Sequence, residues 1–267
     1  MLTCDSQIHL FPEGHEERAA KFGQRVIPLA TILADMDAAG IDRAVLVPPF
    51  PAAMQISLDA VAAHPDRFRT TAHLALDKPE AREQVTAWPD GAVVAVRVAF
   101  PPWHKVSWLD DGTADWFWPV AAAQGLPVMV WAPGQLAKLG PVAAANPALN
   151  LIVDHLGLFV DDKDDALDPI LDQLVALAVH DNVSVKASAL PCATDEPYPY
   201  RGLAPRIERV VEAFGAGRVF WGTDATRLPC TYAQAVAMFT EELPFLKGDD
   251  LDLVMGGALL RRLGWDR

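Results

Sequence analysis

The chain has 267 residues, 51% of them hydrophobic, and a formal net charge of −13. That length suits one barrel of alternating strands and helices with a large core, and the acidic balance excludes a nucleic-acid binder, whose phosphate contacts need a basic surface. Three widely spaced cysteines, Cys4, Cys192 and Cys230, have neither zinc-binding nor disulfide-framework spacing and fit a reducing cytoplasm. No basic region followed by an apolar run marks a signal peptide, and no apolar run is long enough to span a bilayer. The expected partner is a small-molecule substrate, with no nucleic acid and no membrane; a homodimer stays open.

In chain order, residues 2–11 read as the first strand. Strict alternation places Asp5, Gln7 and His9 on one face and Cys4, Ser6 and Ile8 on the other. A carboxylate, an amide and an imidazole in a row either hydrogen-bond one another or do chemistry. Residues 12–25, polar and carrying Gly14 and Gly23, read as a long loop, of a length often functional. A helix is expected over 28–39, where Leu29, Ile32, Leu33 and Met36 recur at helical spacing between Pro28 and Gly40. A short buried strand, 44–47, ends at Pro48 and Pro49.

The pattern then repeats: helix 54–63 and strand 68–75, helix 79–88 and strand 92–99. Residues 100–115, rich in Pro, Trp and Asp, form a second long loop. Helix 116–124 precedes strand 127–131, and helix 135–145 precedes strand 149–155. Helix 164–180 and strand 183–188 follow, then loop 191–202, helix 203–214 and strand 218–224. Residues 232–246 and 249–263 are helical. Eight short apolar strands, each followed by a helix, imply parallel pairing through helical crossovers. The expected fold is α/β, a (β/α)8 TIM barrel forming a single domain over residues 1–267. An open doubly wound sheet lacks the Gly-rich fingerprint that a dinucleotide fold would show after its first strand.

A barrel of this kind builds its site at the C-terminal ends of its strands. Those ends offer Gln7 and His9, then His73, Arg97, Trp131, Asp154 and His155, Lys186 and Ser188, and finally Asp224. Singly, each has a structural explanation. His155 fits a histidine bonded to backbone, Lys186 a buried ion pair, Arg97 an interior salt bridge and Asp224 a turn cap. Six of eight strands delivering such groups to one rim point instead to a functional site.

Four segments carry a resemblance. Asp5-Ser-Gln-Ile-His9, Val153-Asp-His-Leu-Gly157, Val185-Lys-Ala-Ser188 and Trp221-Gly-Thr-Asp224 resemble the signatures of the amidohydrolase-related barrel proteins. The branch they are most similar to contains the pyrone-dicarboxylate lactonase and sugar-acid lactonases. The match runs the length of the chain, with Met255-Gly-Gly-Ala258 in the place of a usual Gly-x-Asn-Ala segment. It departs at Gln7, where the superfamily normally has the first histidine of a His-x-His metal pair. Imidazole nitrogen binds zinc well and amide oxygen poorly, so no metal and no other cofactor is expected. The alternative is one divalent ion, Zn or Mn, held by His9, His155 and Asp224.

The resemblance implies a hydrolase that opens a lactone of a carboxylate- or hydroxyl-bearing small molecule. Asp224 would act as general base, with His9 and His155 donating hydrogen bonds to the carbonyl oxygen. Lys186 would support the oxyanion or neutralise a substrate carboxylate, and Arg97, by its planar fork, would anchor one. Gln7, His73 and Ser188 complete the substrate surface. Asp154 faces outward by strand alternation and is not expected to orient His155. In the loop after the fourth strand, Trp103, His104 and Trp108, and likewise Trp131, either stack on a flat substrate or seal the barrel top. His15, Tyr198, Tyr200 and Arg201 are placed to close over it, and Arg227 is a second carboxylate anchor or a surface salt bridge. Two other functions remain open: a metal-dependent non-oxidative decarboxylase of an aromatic or dienoic acid, and a diverged barrel with non-hydrolytic ligand chemistry.

Overall fold

Short runs rich in valine and bounded by turn residues are too brief for a stable helix, and they form the strands of this protein. The structure is a computed structural model that describes residues 2–85, 91–104, 106–159 and 161–265. The strands are β1 Cys4–Ile8, β2 Arg43–Leu46, β3 Phe68–His73, β4 Val93–Ala99, β5 Pro127–Trp131, β6 Asn150–Val153, β7 Val183–Ser188 and β8 Val219–Gly222. They pair in sequence order, each neighbouring pair parallel. The helices between and after them are α1 Glu16–Ala20, α2 Leu29–Ala38, α3 Met54–Ala63, α4 Ala81–Gln84, α5 Phe117–Ala123, α6 Leu136–Ala145, α7 Leu167–Ala176, α8 Ala204–Phe214, α9 Tyr232–Thr240, α10 Asp249–Asp252 and α11 Ala258–Arg262. Among the described residues no helix is long and apolar enough to cross a membrane.

The barrel closes where β1 meets the end of β8. Asp224 N donates to Gln7 O at 2.9 Å. The Asp5 carboxylate accepts from Thr223 N at 2.9 Å, from the Thr223 hydroxyl, and from Tyr232 Oη at 2.9 Å. The strand faces sort the core. Cys4, Val45, Ala95, Met129, Ile152 and Phe220 pack inside the barrel with Leu259 of α11, while Leu46, Val96, Val128, Leu151, Val185 and Val219 pack outward against the helices. The C-terminal segment covers the N-terminal ends of the strands, with Asn150 Nδ2 donating to Arg262 O at 3.3 Å. The interior is therefore apolar at that end and polar at the other.

Several expectations are corrected. The register of β1 shifts between Asp5 and Ile8, so strict alternation fails there. Cys4 joins the interior, Asp5 turns to the β1/β8 seam, and Gln7 and His9 point inward. The loop over 12–25 contains α1, held by Ala19 packing against Phe11 and Phe50. Strands β6 and β8 end two residues early, because His155, Leu156 and Asp224 take positive φ values of 52°, 54° and 51°. The expected helix 79–88 is reduced to α4; its residues 86–88 lie outside the described residues, as does Lys105 of the loop after β4. Helix α9 starts at a capping box, Thr231 with Gln234, and ends at Thr240 rather than 246. The last helical run is split by a wide turn over Leu253–Gly257.

Candidate active site

The left-handed turns that end β6 and β8 are strained for non-glycine residues, and such strain clusters at functional sites. Here they turn His155 and Asp224 toward each other across the barrel mouth. Asp224 Oδ1 lies 3.6 Å from His9 Nε2, and Oδ2 lies 4.0 Å from His155 Nε2 and 3.0 Å from Arg227 Nε. The Arg227 contact is an ion pair without hydrogen-bond alignment, which leaves Oδ2 a buried acceptor lacking a hydrogen-bond donor. Behind the imidazoles, Ser188 Oγ sits 2.9 Å from His155 Nδ1, and Val47 O sits 2.5 Å from His9 Nδ1.

Burial alone would raise the Asp224 pKa, but His9, Arg227, His155 and Arg97 outweigh it and hold the carboxyl below its ordinary value. Burial pushes His9 down and takes His155 to about 4. His73 also falls to about 4, through burial and the nearby charge of Arg97. The site at neutral pH is thus one carboxylate between two neutral imidazoles.

Beneath it lies an ionic layer. Asp154 is buried and points into the barrel, contrary to the outward placement expected from alternation; Ile152, two residues earlier, is also interior. Its Oδ2 accepts from Arg97 Nε at 2.8 Å, and its Oδ1 lies 3.0 Å from Lys186 Nζ. Against the cost of burial, Lys186 and Arg97 hold Asp154 well below the usual carboxylate range.

A cavity of about 500 Å³ opens above these residues. Of the sequence-predicted site residues, His9, His73, Arg97, Trp103, Trp131, His155, Ser188, Asp224 and Arg227 line it. Gln7 and Lys186 do not; both are fully buried below the cavity floor. His104 packs on Trp108, 5.5 Å between ring centroids, and neither lines the cavity. His15 stacks on Phe50 outside the cavity, while Tyr198 and Tyr200 border a second cavity beside Cys230; Arg201 lines neither. Sequence reasoning missed Arg18, Lys21 and Phe22, which reach the cavity from α1 and the turn after it. Their spacing, three and four residues apart, was the available signal, hidden by reading 12–25 as loop. Phe11, Phe50 and Phe159 were missed too; Trp131 and Phe159 stack at 6.1 Å, and Trp103 packs on Trp131 at 5.8 Å.

A parallel eight-stranded barrel with ionisable groups gathered at the C-terminal rim is an enzyme-like TIM barrel. The amidohydrolase family model matches residues 4–258, and the chain belongs to that family. Among curated protein sequences none matches significantly. Similar solved structures include an amidohydrolase from Burkholderia multivorans with bound zinc, at 19% identity, TM-score 0.84 and 99% coverage of both chains. A candidate 2-pyrone-4,6-dicarboxylic acid hydrolase from Pseudomonas putida gives 22% identity and TM-score 0.77, covering 100% of this chain and 99% of that one. A dihydroxybenzoic acid decarboxylase from Polaromonas sp. JS666, with bound manganese and 2-nitroresorcinol, gives 16% identity and TM-score 0.72, covering 100% and 98%. At these identities the likeness speaks to the fold.

The donor set here does not fit a divalent ion. Gln7 replaces an imidazole with an amide and turns its nitrogen, a donor rather than a ligand, toward His9 at 3.3 Å. The Arg227 guanidinium already neutralises Asp224. Among the described residues no cluster of three or more His, Cys, Asp or Glu side chains is placed to hold a metal ion.

Proposed function

We propose that the protein hydrolyses a lactone carried on a small carboxylate-bearing molecule, without a bound metal. The observation that supports this best is Asp224, an ionised carboxylate with one oxygen lacking a hydrogen-bond donor, set between two neutral imidazoles at the foot of the cavity. Asp224 takes a proton from water as the water oxygen attacks the lactone carbonyl. His155 faces the same point, and its Nε2–H stabilises the oxyanion that forms. Collapse breaks the ring C–O bond, and the departing oxygen takes back the proton from Asp224, giving a hydroxy acid.

The cavity lining supports the substrate class. Arg18, Lys21, Arg97 and Arg227 line the cavity together with Asp161, Asp162 and Asp224. Arg97 and Arg227 are paired with Asp154 and Asp224, so Arg18 and Lys21 are the cations best placed to meet a substrate carboxylate. Trp131, Phe159 and Trp103 offer aromatic faces suited to a flat ring. Gln7 and Lys186 act from below the floor rather than on the substrate.

The test is proton release from a panel of lactones, with and without carboxylates, using protein analysed for metal and treated with chelator. Carboxylated lactones opened by metal-free protein, with activity lost in Asp224→Asn, is the expected result. A stoichiometric zinc or manganese ion lost together with activity would overturn metal independence. Release of CO2 from aromatic acids by that metal-loaded form would favour the decarboxylase chemistry of the manganese-bound neighbour.

A further inference from the structure

The two imidazoles that flank Asp224 are alike in distance but differ in what holds their other nitrogens. His9 Nδ1 faces the Val47 carbonyl oxygen, which only accepts, so Nδ1 carries the proton. Burial keeps the ring neutral, and Nε2 is left with its lone pair. That lone pair faces the Gln7 side-chain amide at 3.3 Å.

Which end of the amide points at His9 is decided from the far side. Lys186 Nζ lies 2.8 Å from Gln7 Oε1 and 3.0 Å from Asp154 Oδ1. An ammonium offers donors only, so it takes the amide oxygen and fixes the flip. The amide nitrogen is therefore the end that meets His9 Nε2, and it donates to it. His155 is held the other way. Its Nδ1 meets a hydroxyl able to donate, Ser188 Oγ, and its Nε2 faces the Asp224 carboxylate, which favours Nε2–H.

We propose that Lys186 and Gln7 are positioning residues that hold His9 as the Nδ1–H tautomer, so that His9 Nε2 is a hydrogen-bond acceptor beside Asp224 while His155 is the donor. This replaces the symmetric expectation that both histidines donate to the carbonyl oxygen. Its catalytic consequence rests on the hydrolase reading above. With its Nε2 lone pair engaged by the Gln7 amide, His9 sets no N–H against Asp224 Oδ1, 3.6 Å away, so the carboxylate keeps its basicity until it takes the proton from water. The proton stays on Asp224 until the departing ring oxygen takes it, and the oxyanion receives its hydrogen bond from His155 alone.

The experiment is 15N NMR of histidine-labelled protein, with His9 assigned by the resonances missing from His9→Asn, alongside lactone hydrolysis. The wild type should show His9 with a protonated Nδ1 and an unprotonated Nε2 at pH 7. In Gln7→Glu a carboxylate faces Nε2, and His9 should change to an Nε2-protonated form. That variant should lose at least about 100-fold in kcat, the range of one acid–base group, with little change in KM. Gln7→Met, which removes the donor without adding an acceptor, should keep the Nδ1–H form and lose less; it also serves if Gln7→Glu does not fold. A wild-type His9 protonated at Nε2 would overturn the assignment whatever the activity. A Gln7→Glu protein that changes tautomer but keeps its kcat would overturn the positioning role. The expected spectra in a protein that opens no lactone would leave the tautomer assignment standing and refute the hydrolase reading instead.

Discussion

Asp154 Oδ2 accepts a hydrogen bond from Arg97 Nε at 2.8 Å, with Asp154 0% and Arg97 8% exposed. The same carboxylate pairs with Lys186, itself 0% exposed, so one anion serves two buried cations. Removing it leaves both uncompensated, and breaking a buried pair in this way costs about 3–5 kcal/mol. Asp154→Ala is expected to destabilise the protein by that order in urea denaturation. Replacing Lys186 as well, in Asp154→Asn with Lys186→Met, should recover part of the loss. A single variant as stable as wild type would show that the two cations find other partners.

Asp5 gives the barrel seam a pH dependence. Burial, opposed by its hydrogen bonds to Thr223, Gln7 and Tyr232, raises its pKa from 3.8 to about 6. A carboxyl whose folded value is raised contributes stability that is full below the unfolded value and lost as pH rises through the folded one. Between pH 4 and 7 the wild type should lose up to about 3 kcal/mol relative to Asp5→Asn, at 1.36 kcal/mol per unit. His73 and His155, both lowered to about 4, contribute the opposite slope from pH 6.5 down to 4. They are common to both proteins and cancel in the difference. Parallel pH profiles for the two proteins would place the Asp5 pKa near its ordinary value.

Much of this architecture is legible in the sequence, because period and punctuation carry it. Helix α3 and strands β5 and β7 fall where apolar spacing and flanking turn residues put them. The rim residues His9, Arg97, His155 and Asp224 follow from knowing that a parallel barrel builds its site at strand C-termini. What was not legible depends on single-residue geometry. A bulge in β1 sends Asp5 to the seam and Gln7 inward, and no periodicity announces a bulge. The inward turn of Asp154 was readable by counting from Ile152, but its paired cations come from β4 and β7, far away in sequence. The approach of Arg18 and Lys21 to the cavity was masked by the polar composition around them and by the length of α1, 5 residues.

Arg227 reaches Asp224 at 3.0 Å and lines the cavity, so it bears on both base and substrate. In the wild type Asp224 is held below its ordinary value and His155 titrates at about 4, so the acid limb of kcat/KM should lie near pH 4 or lower. Arg227→Met removes a cation that lowers Asp224, and its acid limb should move to higher pH. For carboxylated lactones KM should also rise by about tenfold or more, the loss of roughly one charge-assisted hydrogen bond. An unmoved limb together with an unchanged KM would reduce Arg227 to a structural residue that donates to the Phe22 carbonyl.

Gly256, within the Met255-Gly-Gly-Ala258 segment, is a position that only glycine fills. Its φ of 154° belongs to glycine, and a Cβ there would sit 2.3 Å from Cys4 N and 2.9 Å from Thr3 C. Both are backbone atoms of the segment entering β1, so relief requires moving the strand that carries Gln7 and His9. Gly125 provides the control, with φ of 61° and nothing within 4 Å of the position a Cβ would take. Gly125→Ala should lose about 1 kcal/mol through backbone conformation alone. Gly256→Ala adds overpacking to strain and should lose about 3 kcal/mol or more. Because β1 must shift, its lactone hydrolysis should fall at temperatures where the protein is still folded, whereas Gly125→Ala should keep full activity. Thermal unfolding and activity of the two variants, measured side by side, check this. Equal losses in both would mean that the contact between Gly256 and β1 yields without disturbing the strand.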